Sequence, residues 1–139
     1  MRPGRVRTRL GLGLVAAAAS LAGCGLQVQG ADLFLVTRTG QGQKLSMLVN
    51  DDGTISCDGA KAKQLPDPLL LQARDLSTSL NSDAKLRFTQ GARSVFTYTV
   101  KVPNGTFAFP DTAASARKEL AQLELFVLQA ASGPCARSS

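Results

Sequence analysis

Four arginines within nine positions (Arg2, Arg5, Arg7, Arg9), an apolar stretch from Leu10 to Ala19, and then Leu21-Ala22-Gly23-Cys24 stand in that order at the amino terminus. A basic region, an apolar region and a small-residue cleavage site in this succession form the pattern of an export signal. The apolar stretch is interrupted by Gly11 and Gly13 and falls short of the roughly 20 residues a spanning helix needs. The expectation is a segment that is removed, not a permanent anchor. That removal bounds the fold: of 139 residues about 116 remain, room for one domain around one core.

The same segment distorts the charge. The chain is formally +6, yet four of its sixteen basic residues lie in the first nine positions, so twelve basic residues face ten acidic ones in the remainder. A balance of about +2, no run of Lys and Arg, and a single Tyr speak against nucleic-acid binding. The chain has no His and no Trp. Imidazole bases, imidazole metal ligands and the Ser-His or Cys-His pairs of most covalent hydrolases are therefore absent.

Leu21-Ala22-Gly23-Cys24 resembles the lipobox of bacterial lipoproteins, where small residues admit the peptidase and the Cys thiol accepts a diacylglyceryl group. The resemblance implies that residues 1–23 are a lipoprotein signal peptide, that Cys24 becomes the lipidated first residue, and that the protein is held, palmitate or another acyl chain in the bilayer, on the extracytoplasmic face of the cell membrane. Each buried methylene contributes roughly 0.8 kcal/mol, so two acyl chains anchor stably where one is marginal. Arg5, Arg7 and Arg9 alternate and never pair, which favours general secretion over the twin-arginine route. With Cys24 taken up by lipid, Cys57 and Cys135 remain as an even pair in a compartment where disulfides persist. Two cysteines without CxxC spacing and without His make a poor zinc site, so a Cys57–Cys135 disulfide is expected.

Residues 24–30 read as a short uncharged tether, at most about 20 Å long when extended, and 31–139 as one α+β domain. Leu33 to Arg38 suits a strand. Lys44 to Asn50 alternates Leu45, Met47 and Val49 against polar neighbours, and Asp51-Asp52-Gly53 turns the chain into Thr54 to Cys57. Asp58 to Gln64 is polar loop. Asp67 then reads as an N-cap with Pro68 at the first helical position of a helix carrying Leu69, Ala73, Leu76 and Leu80, ended by Asn81 to Asp83. Leu86 and Phe88 begin a further strand, Val95 to Val102 form another, and Thr106 to Phe109 pair back across Pro103-Asn104-Gly105. Asp111 or Thr112 caps a last helix lined by Ala113, Ala116, Leu120, Leu123, Val127 and Ala130 and stopped by Ser132-Gly133-Pro134. The expected architecture is a small antiparallel sheet, two hairpins and about five strands, with both helices packed on one face. Asp-Gly-Thr at 52–54 and Asn-Gly-Thr at 104–106, each followed by Pro-Asp and a helix, hint at two ββα halves, although turns and caps draw on the same few residues in any fold.

Motifs for chemistry are sparse. Ser115-Ala116-Arg117-Lys118 matches the S-x-x-K spelling of penicillin-recognising enzymes, without their Ser-Asp-Asn and Lys-Thr-Gly elements. Asp51, Asp52 and Asp58 lack EF-hand spacing, so a hairpin turn is preferred to a calcium site. Asn104-Gly105-Thr106 spells a glycosylation acceptor but suits a tight turn. Asp67, Asp75, Asp111, Glu119 and Glu124 can form a catalytic pair only if the fold brings two together. Arg38, Arg74, Arg87 and Arg93 can recognise an anionic group, although scattered arginines are usually solvated.

Composition, signal and lipobox together resemble small lipoproteins of high-GC Gram-positive bacteria, as do Ala31 to Cys57, Leu-x-Ala-Arg-Asp-Leu at 71–76 and the terminal Cys135. The resemblance implies a location and no activity. No metal or cofactor is expected. The leading expectation is a non-catalytic module that binds an envelope protein or cell-wall ligand at the membrane. Alternatives are an inhibitor or accessory subunit of an envelope enzyme, and a small hydrolase using carboxylates.

Overall fold

The structure is a computed structural model that describes residues 31–137. Alternating side chains drive the sheet. Strand β1 (Asp32–Gly40) buries Phe34 and Val36, and β2 (Gln43–Asn50) buries Met47 and Val49, as a period of two requires of a half-covered sheet. Gln41 and Gly42, both at positive φ, join them in a two-residue hairpin. Gly40 packs so closely on the chain before β5 that a Cβ there would lie 2.3 Å from the Val95 carbonyl oxygen. Strands β3 (Thr54–Cys57) and β4 (Lys63–Gln64) extend the sheet on one side of β1. Strands β5 (Thr97–Val102) and β6 (Gly105–Pro110) extend it on the other, giving the all-antiparallel order β4-β3-β2-β1-β5-β6.

Helix α1 (Asp67–Ser82) carries the chain from the β4 edge to β5, and α2 (Lys118–Ser132) follows β6 through a 3-10 turn at Asp111–Ser115. Ala73, Leu76 and Leu80 of α1 and Leu120, Leu123, Phe126, Val127 and Ala130 of α2 are buried at helical spacing. They meet the inner row of the sheet in one apolar cluster, where the Phe34 and Phe126 rings pack edge to face at 5.6 Å and Tyr98 stacks on Phe109 at 5.1 Å. The fold class is thus the expected one: an antiparallel sheet with two helices on one face. The other face presents hydroxyl side chains, including Thr37 and Ser46, hydrogen-bonded to each other at 3.1 Å.

Four local expectations need correction. The polar segment before α1 contributes the short strand β4, whose Lys63 and Gln64 are both exposed and carry no apolar signal. Leu86 and Phe88 form no strand; the Phe88 ring is drawn off onto Phe109 and Phe107, 6.1 and 6.5 Å away, leaving β6 as the edge. Helix α1 is capped at Pro66, not Asp67, with no side-chain cap. Pro66 and Pro68 remove two N–H groups from the entry to the helix, and the N–H groups of Leu69 and Leu70 both reach the Pro66 carbonyl at 3.0 Å. The last helix begins at Lys118, because Arg117 is extended (φ −138°) and the Asp111 carboxylate is engaged elsewhere, so that Ala116 is exposed instead of lining the core face.

Candidate functional site

Charged groups gather in three places, and they differ in how fully their charges are answered. At the junction between the helices, the Arg117 guanidinium lies 3.4 Å from Asp83 and 3.3 Å from Glu119. Asp83 ends α1, where the helix dipole opposes a negative charge, whereas Glu119 stands in the first turn of α2, where the dipole welcomes one. Burial pushes the Asp83 carboxyl up to about 6, reinforced by its hydrogen bond to Glu119 and that group's charge, against the pull of Arg117. Glu119 is held low, first by its own backbone N–H and, against some desolvation, by Asp83 and Arg117. Asp83 Oδ2 is buried with no donor in reach among the described residues. Two ionised carboxylates can only accept, so a proton retained on Asp83 supplies the missing donor.

The second group surrounds Tyr98, on the inner face of β5. Asp111 accepts the backbone N–H of Val95 at 3.2 Å and of Phe96 at 3.1 Å, and its own N–H donates to the Phe96 carbonyl at 3.0 Å, locking the entry to β5 onto the end of β6. Desolvation works to raise Asp111, but those bonds and the Ser94 hydroxyl hold it below the usual carboxylate range. Glu124, projecting from α2, is pushed up to about 7 by burial and then by the Asp111 charge, with its Oε1 buried and lacking a hydrogen-bond partner among the described residues. Tyr98 is raised by burial and by Glu124, and partly relieved by Arg38.

The third group is cationic. Arg38 continues the inward parity of Phe34 and Val36, opposite Leu45 on β2 and Tyr98 on β5, but at the end of the sheet. Its guanidinium carbon lies 4.9 Å from the centre of the Phe96 ring. There the sheet and the segment after α2 enclose an open concavity of about 250 Å³, lined by Arg38, Lys44 and Arg137 with Gln43, Leu45 and Phe96, and by no acidic residue. Among the described residues none of the three cations makes an ion pair. The wall that carries Arg137 is fixed by the Cys57–Cys135 disulfide, whose Cα atoms are 5.6 Å apart.

The remaining sequence candidates have local roles. Cys24 lies outside the described residues. Asp52 accepts the N–H and hydroxyl of Thr54 at 2.9 and 2.6 Å, Asp58 accepts the Ser46 N–H at 2.8 Å, and Asp51 pairs with Arg74 at 2.9 Å, so these three carboxylates build turns and do not converge. Ser115 sits in the 3-10 turn and donates to the Thr112 carbonyl at 3.0 Å; the break at Arg117 then separates it from Lys118. Asn104 bonds to Asn81 through its N–H at 2.8 Å, tying the β5–β6 turn to the end of α1. Of the five carboxylates proposed from sequence, Asp111 and Glu124 come within electrostatic reach of each other around Tyr98. Asp83 was assigned to a helix end, and only its packing beside Glu119 reveals the coupled pair. Arg38 was grouped with surface arginines; its parity with Phe34 and Val36 is the signal that places it on the inner face.

Compared with family models, curated proteins and solved structures, the chain matches none of them.

Proposed function

We propose that this chain is an extracytoplasmic lipoprotein, held at a membrane by acylation of Cys24, whose globular part is a non-catalytic binding module. The observation that carries the binding role is the concavity of Arg38, Lys44 and Arg137, three cations that have no carboxylate partner among the described residues and surround an accessible hollow. Like charges gathered around one hollow repel unless something of opposite charge answers them, so such a site is suited to an anionic ligand. Of the perturbed carboxyls, Asp83 and Glu119 share Arg117, Asp111 is bonded to backbone, and Glu124 is held close to neutral by burial, which leaves no ionised pair facing a cleft among the described residues. The sequence of the amino-terminal segment supports the anchor, because charge, apolar length and lipobox occur in the order that lipidation requires. The tether enters the domain at the first residue of β1, whereas Arg38 stands near its last. Arg38 lies six residue steps beyond Asp32, about 20 Å along the sheet, so the concavity opens at the end of β1 remote from its first residue.

The anchor is tested by mass spectrometry of the mature amino terminus from bacterial membranes. The expected species begins at Cys24 and carries acyl mass, and the Cys24→Ser chain is expected to leave the membrane fraction. An unmodified Cys24, or a Cys24→Ser chain that matures and partitions like the parent, overturns the lipoprotein reading.

A further inference from the structure

The geometry points to a phosphate-bearing ligand for the concavity of Arg38, Lys44 and Arg137, a small phosphate monoester such as glycerol phosphate or a sugar phosphate. This rests on reading the globular part as a binding module, but not on the anchor. The three cations come from three separate parts of the chain: the inner row of β1, the start of β2 and the segment beyond the disulfide. A planar carboxylate is satisfied by one guanidinium fork, whereas the tetrahedral, doubly charged phosphate offers oxygens in several directions at once. Arg38 is already aimed. Its guanidinium lies over the Phe96 ring, and its residue stands opposite Tyr98 on β5, so little side-chain freedom remains to be lost on binding. Lys44 and Arg137 supply charge from the rim, and the Gln43 amide adds neutral hydrogen-bonding capacity. A volume of about 250 Å³ is smaller than the usual pocket for a drug-sized molecule, and suits a phosphoryl group with a short appendage.

The test uses the full chain in a micelle of an uncharged sugar detergent, titrated with inorganic phosphate, glycerol phosphate and acetate and followed by backbone amide shifts. Saturable shifts are expected at residues 38, 43, 44, 96 and 137, with a Kd of about 1 mM or tighter for phosphate that weakens as salt is added. Lys44→Ala with Arg137→Ala is expected to weaken phosphate binding about tenfold or more while leaving the rest of the spectrum in place. Both side chains are exposed and make no ion pair among the described residues. Lys101→Ala, on β5 and outside the concavity, is expected to leave the titration unchanged. Acetate binding as tightly as phosphate overturns the phosphate assignment and leaves the binding module standing. No saturation with any of the three, or an unaltered titration in the double variant, overturns the site itself. Vesicles containing phosphatidic acid, whose headgroup is itself a phosphate monoester, separate the two sources of the same chemistry: competition with glycerol phosphate identifies a lipid headgroup, and its absence identifies a ligand free in solution.

Discussion

Two of the three clusters of charge in this small fold are opposites. At the helix junction one arginine answers two carboxylates, and Asp83, with its side chain only 10% exposed, resolves the remaining imbalance by keeping a proton. At the end of the sheet Arg38, Lys44 and Arg137 face a common hollow with no acid in its lining. The first cluster joins the end of α1 to the start of α2 and leaves nothing unanswered for a ligand to supply. The second has a charge that only something outside the described residues can balance. The difference teaches that perturbed titration and availability for binding are separate properties: the carboxyl displaced to about 6 is structural, while the cations of the concavity line an open hollow.

The comparison can be broken at several points. The largest effect is expected from the disulfide, which fixes the wall bearing Arg137. Cross-linking positions 78 residues apart is worth about 4 kcal/mol by chain entropy. Cys135→Ser should lower the denaturation free energy by a large part of that, measured by urea unfolding, and should weaken phosphate binding as Arg137 is released. A variant with full stability would show that core packing alone holds the carboxy-terminal segment in place.

Next comes Arg117. Its removal leaves Asp83 and Glu119 facing each other without a cation, and Arg117→Ala is expected to cost about 2 kcal/mol at pH 8. At pH 5 the cost should be smaller, because protonation relieves the repulsion. Equal losses at both pH values would contradict the assignment of a shared proton.

The pH profile of the parent protein sharpens the same point. Asp83 and Glu124 have folded-state values raised to about 6 and about 7, above ordinary values of 3.8 and 4.5. The folded state therefore holds those protons more tightly than the unfolded chain, and the stabilisation they give is present at low pH and lost as pH rises through about 6 and about 7. Asp111 and Glu119 are lowered, so their contribution is present above ordinary carboxylate values and lost as pH falls further below them. Thermal stability should peak near pH 4, where ordinary carboxylates titrate, and decline by about 1–2 kcal/mol as pH rises to about 7. Asp83→Asn should remove the part of that slope lying between about pH 4 and 6, and a slope of the opposite sign in the parent would refute the assignment. The smallest effect is expected at the rim. Lys44→Ala should change stability by less than about 0.5 kcal/mol, because the side chain is exposed and unpaired.

Much of the scaffold was legible from periodicity. Met47 and Val49 alternate inward along β2, and Leu76, Leu80, Leu123 and Val127 recur at helical spacing, because those patterns are the direct print of one-sided burial. The pairing of Cys57 with Cys135 followed from counting cysteines once Cys24 was assigned to lipid, and the structure joins them. What escaped was decided by contacts between distant segments. The two residues of β4 have no apolar pattern to read, and Phe88 left its strand pattern for the rings of Phe107 and Phe109. Asp111 was expected to cap a helix and instead clamps Val95 and Phe96, a partner sixteen residues earlier that no local rule anticipates. The candidate site was half visible. The parity that places Arg38 beside Val36 is written in β1, but Lys44 and Arg137 join it only through the hairpin and the disulfide.

The most direct test of the unanswered cluster is the melting temperature of the full chain against phosphate concentration at fixed ionic strength, in the parent and in the Lys44→Ala, Arg137→Ala double variant. A ligand that binds the folded state alone raises stability by RT ln(1 + [L]/Kd), about 1.4 kcal/mol at nine times Kd. The expected result is a rise in the parent that becomes linear in the logarithm of phosphate concentration above Kd and is almost lost in the double variant. An equal rise in both proteins, or none in either, would contradict the account.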